Sequence, residues 1–520
     1  MELKKKYIHM SHEKGRAISQ ITLDDDYNVP ESKPDIMRII TSKGTIHLEE
    51  AKAEAGHVHL KGSLIFQVLY RSDGEEGNIA FLEGSIPFSE NLNLDGAEEF
   101  DPVKVKWDIE DLNIGIINSR KLSIRSLVVF TAAIDEIKDE EISYAMEGEE
   151  DYEVKKENMQ ALQLVAAKRD TCRFKNEVIL PSNKPNIREL LWKNVQLRGL
   201  ESRIGEDVIY FTGELLLYIL YQGNEEEERL QWLETTVPLQ GEVDCSGCRD
   251  NLVSYVGVED VSFEVEVKPD YDGEERMLMV DAVAELDIKL WEEEEFEMLQ
   301  DVYSLKEEVE PVFEEITFEN LLMKNNAKCR AGEKLQLEEK QENILQVCSG
   351  EGSIQIDTHE ISGNGVYVEG TVAVELLYIT TDDDMPISSL KGFLPFHQTI
   401  EVPGIEPDSR YELESGLEQL TTILIDNSQV EIKAVINLNL IAFSTKKRKK
   451  LQDIESREAD YESLQQIPGL VGYIVKEEDE LWNIAKENHT TVKDIMSTND
   501  LSSNQVKKGD KLLIVKSMGV

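Results

Sequence analysis

Gly62-Ser63-Leu64-Ile65-Phe66-Gln67-Val68-Leu69-Tyr70 decides how this chain is read, because the same pattern returns twice. Its counterparts are Gly213-Glu214-Leu215-Leu216-Leu217-Tyr218-Ile219-Leu220-Tyr221 and Gly370-Thr371-Val372-Ala373-Val374-Glu375-Leu376-Leu377-Tyr378, with glycine and tyrosine eight apart each time. Seventeen residues after each tyrosine stands a proline between apolar neighbours: Ile86-Pro87-Phe88, Val237-Pro238-Leu239 and Leu394-Pro395-Phe396. The glycines recur after 151 and 157 residues, so each unit is domain-sized and not a solenoid repeat. A continuous apolar run of nine residues suits a central strand buried on both faces.

Polar stretches follow each run, at residues 71–77, 222–228 and 380–384, and read as loops between antiparallel strands. Later segments such as Lys121-Leu122-Ser123-Ile124-Arg125 and Val430-Glu431-Ile432-Lys433-Ala434-Val435 alternate, with one dry face and one charged. The expected fold is mainly β: three tandem antiparallel β-sandwich-like repeats, over residues 1–148, 149–305 and 306–445. A basic, helical linker at 446–470 and a small module at 471–516 complete the division. The first two units share a lead-in, Val29-Pro30-Glu31-Ser32-Lys33-Pro34-Asp35-Ile36 and Leu180-Pro181-Ser182-Asn183-Lys184-Pro185-Asn186-Ile187. Its two prolines hold the chain extended, and Asp35 or Asn186 is placed to cap a short helix at the next isoleucine. The third unit's counterpart, Gln341-Glu342-Asn343-Ile344, has neither proline. Long acidic loops predict mutual repulsion and flexibility between units.

The chain has 520 residues, 55 basic and 104 acidic, for a net charge of -49. That balance argues against nucleic acid and against direct adhesion to anionic lipid, and points to proteins, or to basic or neutral surfaces, as partners. Lys4, Lys5 and Lys6 precede no apolar run that could serve as a signal peptide, and no stretch approaches the ~20 apolar residues of a membrane helix. The protein is therefore expected to stay in the cytoplasm that made it. Five scattered cysteines make no disulfide scaffold, and Cys245-Ser246-Gly247-Cys248 lacks a second ligand pair, so two reduced thiols in a surface turn are expected. His57 and His59 share a strand face without a further ligand, and no nucleophile or phosphate-loop motif is present. Neither a catalytic residue, a metal nor a cofactor is expected.

The C-terminal segment reads strand, helix, helix, strand. Tyr473-Ile474-Val475 is followed by Glu477-Glu478-Asp479-Glu480 and the amphipathic Leu481-Trp482-Asn483-Ile484-Ala485. Asp479 can accept from the first-turn amides, and Thr491 with Asp494 has capping-box spacing for a second helix ending near Asn499. Lys511-Leu512-Leu513-Ile514-Val515 closes the segment. This order resembles the LysM domain, which binds N-acetylglucosamine polymers through the loops before the first helix and after the second. Where that family usually has Gly-Asp-Thr or Gly-Asp-Ser, this chain has Glu478-Asp479-Glu480, which removes the glycine that lets backbone approach a sugar.

Tandem β-rich units with the Pro-x-x-Lys-Pro-Asp/Asn-Ile lead-in and one terminal LysM resemble the SipL-type spore morphogenetic proteins. The resemblance implies a non-enzymatic scaffold of spore coat assembly in the mother-cell cytoplasm. Its LysM would bind the coat-basement ATPase SpoIVA at the forespore surface, and its repeats would meet other coat proteins or a second copy. The alternative is a reader of peptidoglycan or cortex glycan. The partner-binding candidates are Asp479, Glu480, Leu481, Trp482 and Asn499, with Trp482 either an exposed anchor or packed under its own sheet. Lys446-Lys447-Arg448-Lys449-Lys450 is a basic island, followed by Leu451, Ile454, Tyr461 and Leu464 at helical spacing. It is either a docking arm for an acidic partner or anionic lipid, or a cluster neutralised by the acidic repeats.

Overall fold

The computed structural model describes residues 2–73, 79–148, 152–224, 230–338, 341–382, 384–458 and 468–517. The loop positions expected at 74–77, 225–228 and 383, and Tyr461 and Leu464 of the linker, lie outside them. The first unit comprises β1 (Leu3–Asn28), β2 (Ile36–Glu54), β3 (His57–Ser72), β4 (Ile79–Asn93), β5 (Val103–Asn118) and β6 (Lys121–Met146). These form two antiparallel sheets, β1-β6-β5 and β2-β3-β4, which share one core containing Leu64, Phe66, Ile124 and Phe130. The second unit repeats the order with β7 (Glu153–Ile179), β8 (Ile187–Ile204), β9 (Val208–Gly223), β10 (Leu230–Asp244), β11 (Val253–Pro269) and β12 (Glu275–Tyr303). The third does so with β13 (Glu307–Gln336), β14 (Ile344–Ser362), β15 (Gly365–Thr380), β16 (Ile387–Glu401), β17 (Arg410–Asp426) and β18 (Gln429–Glu458). Each unit is a β-sandwich with its own core, as the alternating and continuous apolar runs predict.

The two halves of the repeated signature meet across one strand pair. Gly62 pairs with Phe88, Gly213 with Leu239 and Gly370 with Phe396. A Cβ on Gly62 would lie 2.4 Å from the His47 carbonyl oxygen and 2.9 Å from the Phe88 ring, which explains the glycine. The following strand is an edge, where a proline costs no ladder bond on its open side. Tyr70 and Tyr221 donate from their hydroxyls to the carbonyls of Pro34 and Pro185, at 3.1 and 3.2 Å. The lead-in caps no helix: Ile36 and Ile187 open strands β2 and β8. Instead Arg120 donates to the carbonyls of Val29, Pro30 and Lys33 and to Asp35. Arg276 does the same to Pro181, Lys184 and Asn186. A guanidinium holding an extended loop satisfies the carbonyls that a helix would have used.

Despite the expected repulsion, the units pack against one another. Leu69, Leu220 and Leu377, equivalent in repeat spacing, meet in one buried cluster with Ile40, Leu191 and Cys348, a second equivalent trio. The three units therefore surround a common pseudo-threefold axis. On that axis Lys43 bonds Asn194 at 3.1 Å and pairs with Glu351, again three equivalent positions. Three lysines there would repel one another; one chain can place a cation, an amide and an anion instead. A second axial cluster joins Ile8, Met10, Met159, Phe296, Met298 and Phe318, where the long strand pairs run on beyond the sandwiches. Charges close the seams. Glu414 of the third unit accepts from Lys106 of the first and from the Tyr255 hydroxyl of the second, both at 2.6 Å. The apolar outer faces of the central strands outweigh the net repulsion of the acidic surfaces.

Two further expectations are corrected. Residues 446–458 are not helical: they continue β18, because their backbone pairs with β13 from Glu307 to Phe318. Cys245 and Cys248 are buried in the core of the second unit and joined as a disulfide, in a turn whose two ends bond the backbone of Asp207. Among the described residues no helix is long and apolar enough to cross a membrane, and no group of His, Cys, Asp and Glu is placed to hold a metal ion.

Candidate functional site

The C-terminal module has the expected order: β19 (Leu470–Ile474), α1 (Leu481–Glu487), α2 (Val492–Thr498) and β20 (Lys511–Val515), with β19 and β20 antiparallel. Leu481, Ile484, Ala485, Ile495, Leu512 and Ile514 form its core, as the amphipathic spacing requires. The Thr491 hydroxyl accepts from the Asp494 amide at 2.9 Å, so the predicted cap of the second helix is present. Asp479 behaves differently. Its carboxylate accepts from the Lys476 amide at 2.7 Å and the Tyr473 hydroxyl at 2.8 Å, and Glu480 occupies the N-cap of α1 without its side chain capping the helix amides. The backbone amide of Lys476, with the Tyr473 hydroxyl second, holds the Asp479 carboxyl below its ordinary range. Asp479 therefore fastens the loop in front of the helix.

The module sits against the end of the second unit. The Trp482 indole N–H donates to Asp301 at 2.7 Å, and Lys486 bonds the same carboxylate at 2.7 and 2.9 Å. The rings of Trp482 and Tyr303 lie 4.9 Å apart, edge to face, and Tyr303 donates to the Thr490 carbonyl at 2.8 Å. Lys155 pairs with Glu480 at 2.5 Å. Trp482 is thus only 9% exposed, packed in one cluster with Tyr303 of β12 and the core of its own module. The sequence carried a signal for this contact in Asp301 and Tyr303, but they stand at the end of a strand, 181 and 179 residues before Trp482, and no spacing rule connects them to the helix.

The other candidates fall into two groups. Leu481 is buried in the module core. Asn499 accepts from the Leu513 amide at 2.7 Å and donates to the carbonyls of Leu513 and Ile495, each at 2.8 Å, so its side chain ties α2 to β20. Glu480 keeps a side chain that is 56% exposed, beside Glu477 and Glu478 on the open rim. Glu478 holds a φ of 71°, the left-handed region in which the family's usual glycine is at ease.

Three β-sandwiches closed on one axis and a βααβ module docked on their end define a tandem-domain, mainly β protein. Sequence comparison agrees with the residues. The family described as "SipL, SPOCS domain" matches residues 35–117, 186–266 and 343–425, and the LysM domain family matches 473–515. The chain is SipL-type: three SPOCS domains followed by one LysM domain, both non-catalytic binding domains of a sporulation-associated protein. The three matched segments each begin at the lead-in and stop within the fifth strand of a unit, so the axis-lining central strands lie inside them. No curated protein and no solved structure matches the chain.

Proposed function

We propose that this protein is a non-enzymatic scaffold of spore coat assembly, held at the forespore surface by its LysM domain through a SpoIVA-type coat ATPase. The observation that supports this reading most directly is the first LysM loop. A sugar-reading loop needs close backbone approach, and here Glu478 occupies the left-handed position between two further carboxylates. A residue kept in a costly conformation points to a function that needs it. The exposed rim, Glu477, Glu478 and Glu480, would meet the protein partner, with Asp479 setting the loop. Trp482 would join that surface only after release from Asp301 and Tyr303. Leu481 and Asn499 would serve it indirectly, by holding α1 and α2.

The test is a titration of the full chain with purified SpoIVA-type ATPase and, separately, with N-acetylglucosamine oligomers. Binding to the ATPase alone is expected; binding to the sugar alone would transfer the protein to the glycan-reading class. Glu478→Gly sharpens it. Glycine relieves the left-handed strain, so the module should gain about 1 kcal/mol of stability, read as slower amide exchange at Ile484 and Ile495. Affinity for the ATPase should fall in the same variant. A gain in stability with unchanged affinity would remove Glu478 from the partner surface.

A further inference from the structure

The basic island divides into two fates. Lys450 is buried and bonded to Glu140 and Glu314, at 2.6 and 3.2 Å, and Arg448 reaches Glu157 at 3.6 Å. Lys447 and Lys449 are exposed and make no ion pair among the described residues. Strand alternation puts both on one face of β18. Lys447 and Lys449 line a 480 Å³ cleft together with Trp482 and Lys486 of α1 and with Lys155 and Asp301 of the second unit. Of the five cations that line the cleft, Lys155, Arg448 and Lys486 are paired with Glu480, Glu157 and Asp301, which leaves Lys447 and Lys449 as its unpaired cations among the described residues, with Glu315 across the strand pair from Lys449 and Phe313, 41% exposed, as an apolar surface on the same strand as Glu315. Neutralisation by the repeats therefore stops at Lys450 and Arg448.

We propose that this cleft, between the LysM domain and the end of the third unit, binds an acidic peptide segment of a partner protein. Carboxylates would be held by Lys447 and Lys449, with an apolar side chain against Phe313. In a chain of net charge -49, an anionic segment is repelled by most of the surface. A concave site lined by cations reverses that field locally and concentrates it. The same geometry disfavours a bilayer: a planar headgroup surface cannot enter the cleft, and the acidic surroundings repel anionic lipid. A peptide strand can enter. The occupant need not be the LysM partner, so the site stands apart from the ATPase reading.

The experiment is a fluorescence titration of the full chain with a labelled oligoglutamate peptide at low and physiological salt, beside vesicles rich in phosphatidylserine. The peptide should bind, more weakly as salt rises. Lys447→Glu/Lys449→Glu should lower its affinity by about tenfold or more, while Lys61→Glu, a remote exposed lysine, leaves it within about twofold. Both lysines are exposed, so an unchanged unfolding midpoint verifies that the double variant is folded. Peptide binding that is absent, or equal in the double variant and the parent, overturns the proposal. Vesicle binding that depends on Lys447 and Lys449 without peptide binding also overturns it and assigns the patch to lipid.

Discussion

Asp135→Asn should destabilise the protein by about 3–5 kcal/mol, measured as a shift of the chemical unfolding midpoint. Asp135, on β6, lies 2.7 Å from both Lys104 and Lys289, and Lys104 also pairs with Asp287. The cluster spans the seam between the first and second units, and the Lys289 side chain is only 6% exposed. Neutralising Asp135 leaves that ammonium without a carboxylate in a place water barely reaches. Adding Lys289→Met should recover most of the loss, since a buried ion pair can be replaced by apolar packing at little cost. Burial alone would raise the Asp135 carboxyl, but Lys289 and Lys104 outweigh it and hold the group at about 2. A folded value below the unfolded value of about 3.9 contributes stability that is fully present above the unfolded value. It is lost as pH falls through the folded one. The acid limb between about pH 4 and 2 should therefore be shallower in Asp135→Asn than in the parent.

Leu220→Ala should cost about 2–5 kcal/mol, a core-sized loss. The side chain points out of the second sandwich and is fully buried, because Leu69 and Leu377 of the other units meet it on the axis. If the units were separate beads it would face water, and the change would stay within about 0.5 kcal/mol. Leu215→Ala, in the second unit's own core, is the comparison: both accounts expect it to be costly. A near-zero loss at Leu220 with a large one at Leu215 would remove the axial contact from the account.

The glycine, tyrosine and proline spacings made the sandwiches legible, because each spacing is a register between neighbouring strands. The run ending at Tyr70 even showed that both faces of the central strand are buried. Periodicity reports that a face is dry, however, not what dries it, and the cover on Leu69, Leu220 and Leu377 comes from other units. Counting charge misled in the same way: -49 predicts repulsion, while Glu414, Asp135 and Glu351 are each matched at a seam by residues far away in sequence. Leu451 and Ile454 stand at spacings compatible with a helix, but pairing with β13 made the segment a strand. Arg120 and Arg276 were readable in principle, one directly before β6 and the other the second residue of β12, yet only the folded loop shows what they hold. In the LysM domain the fold and the Thr491 cap followed from local pattern. The placement of Trp482 against Tyr303 did not, since it is a contact between domains.

Scanning calorimetry of the intact chain tests the central claim most directly, that the three SPOCS domains close on one axis and act as a single body. One trunk transition is predicted, with calorimetric and van't Hoff enthalpies in agreement and its midpoint lowered as a whole by Leu220→Ala. Three separable transitions, of which Leu220→Ala moves none or only that of the second unit, would contradict it.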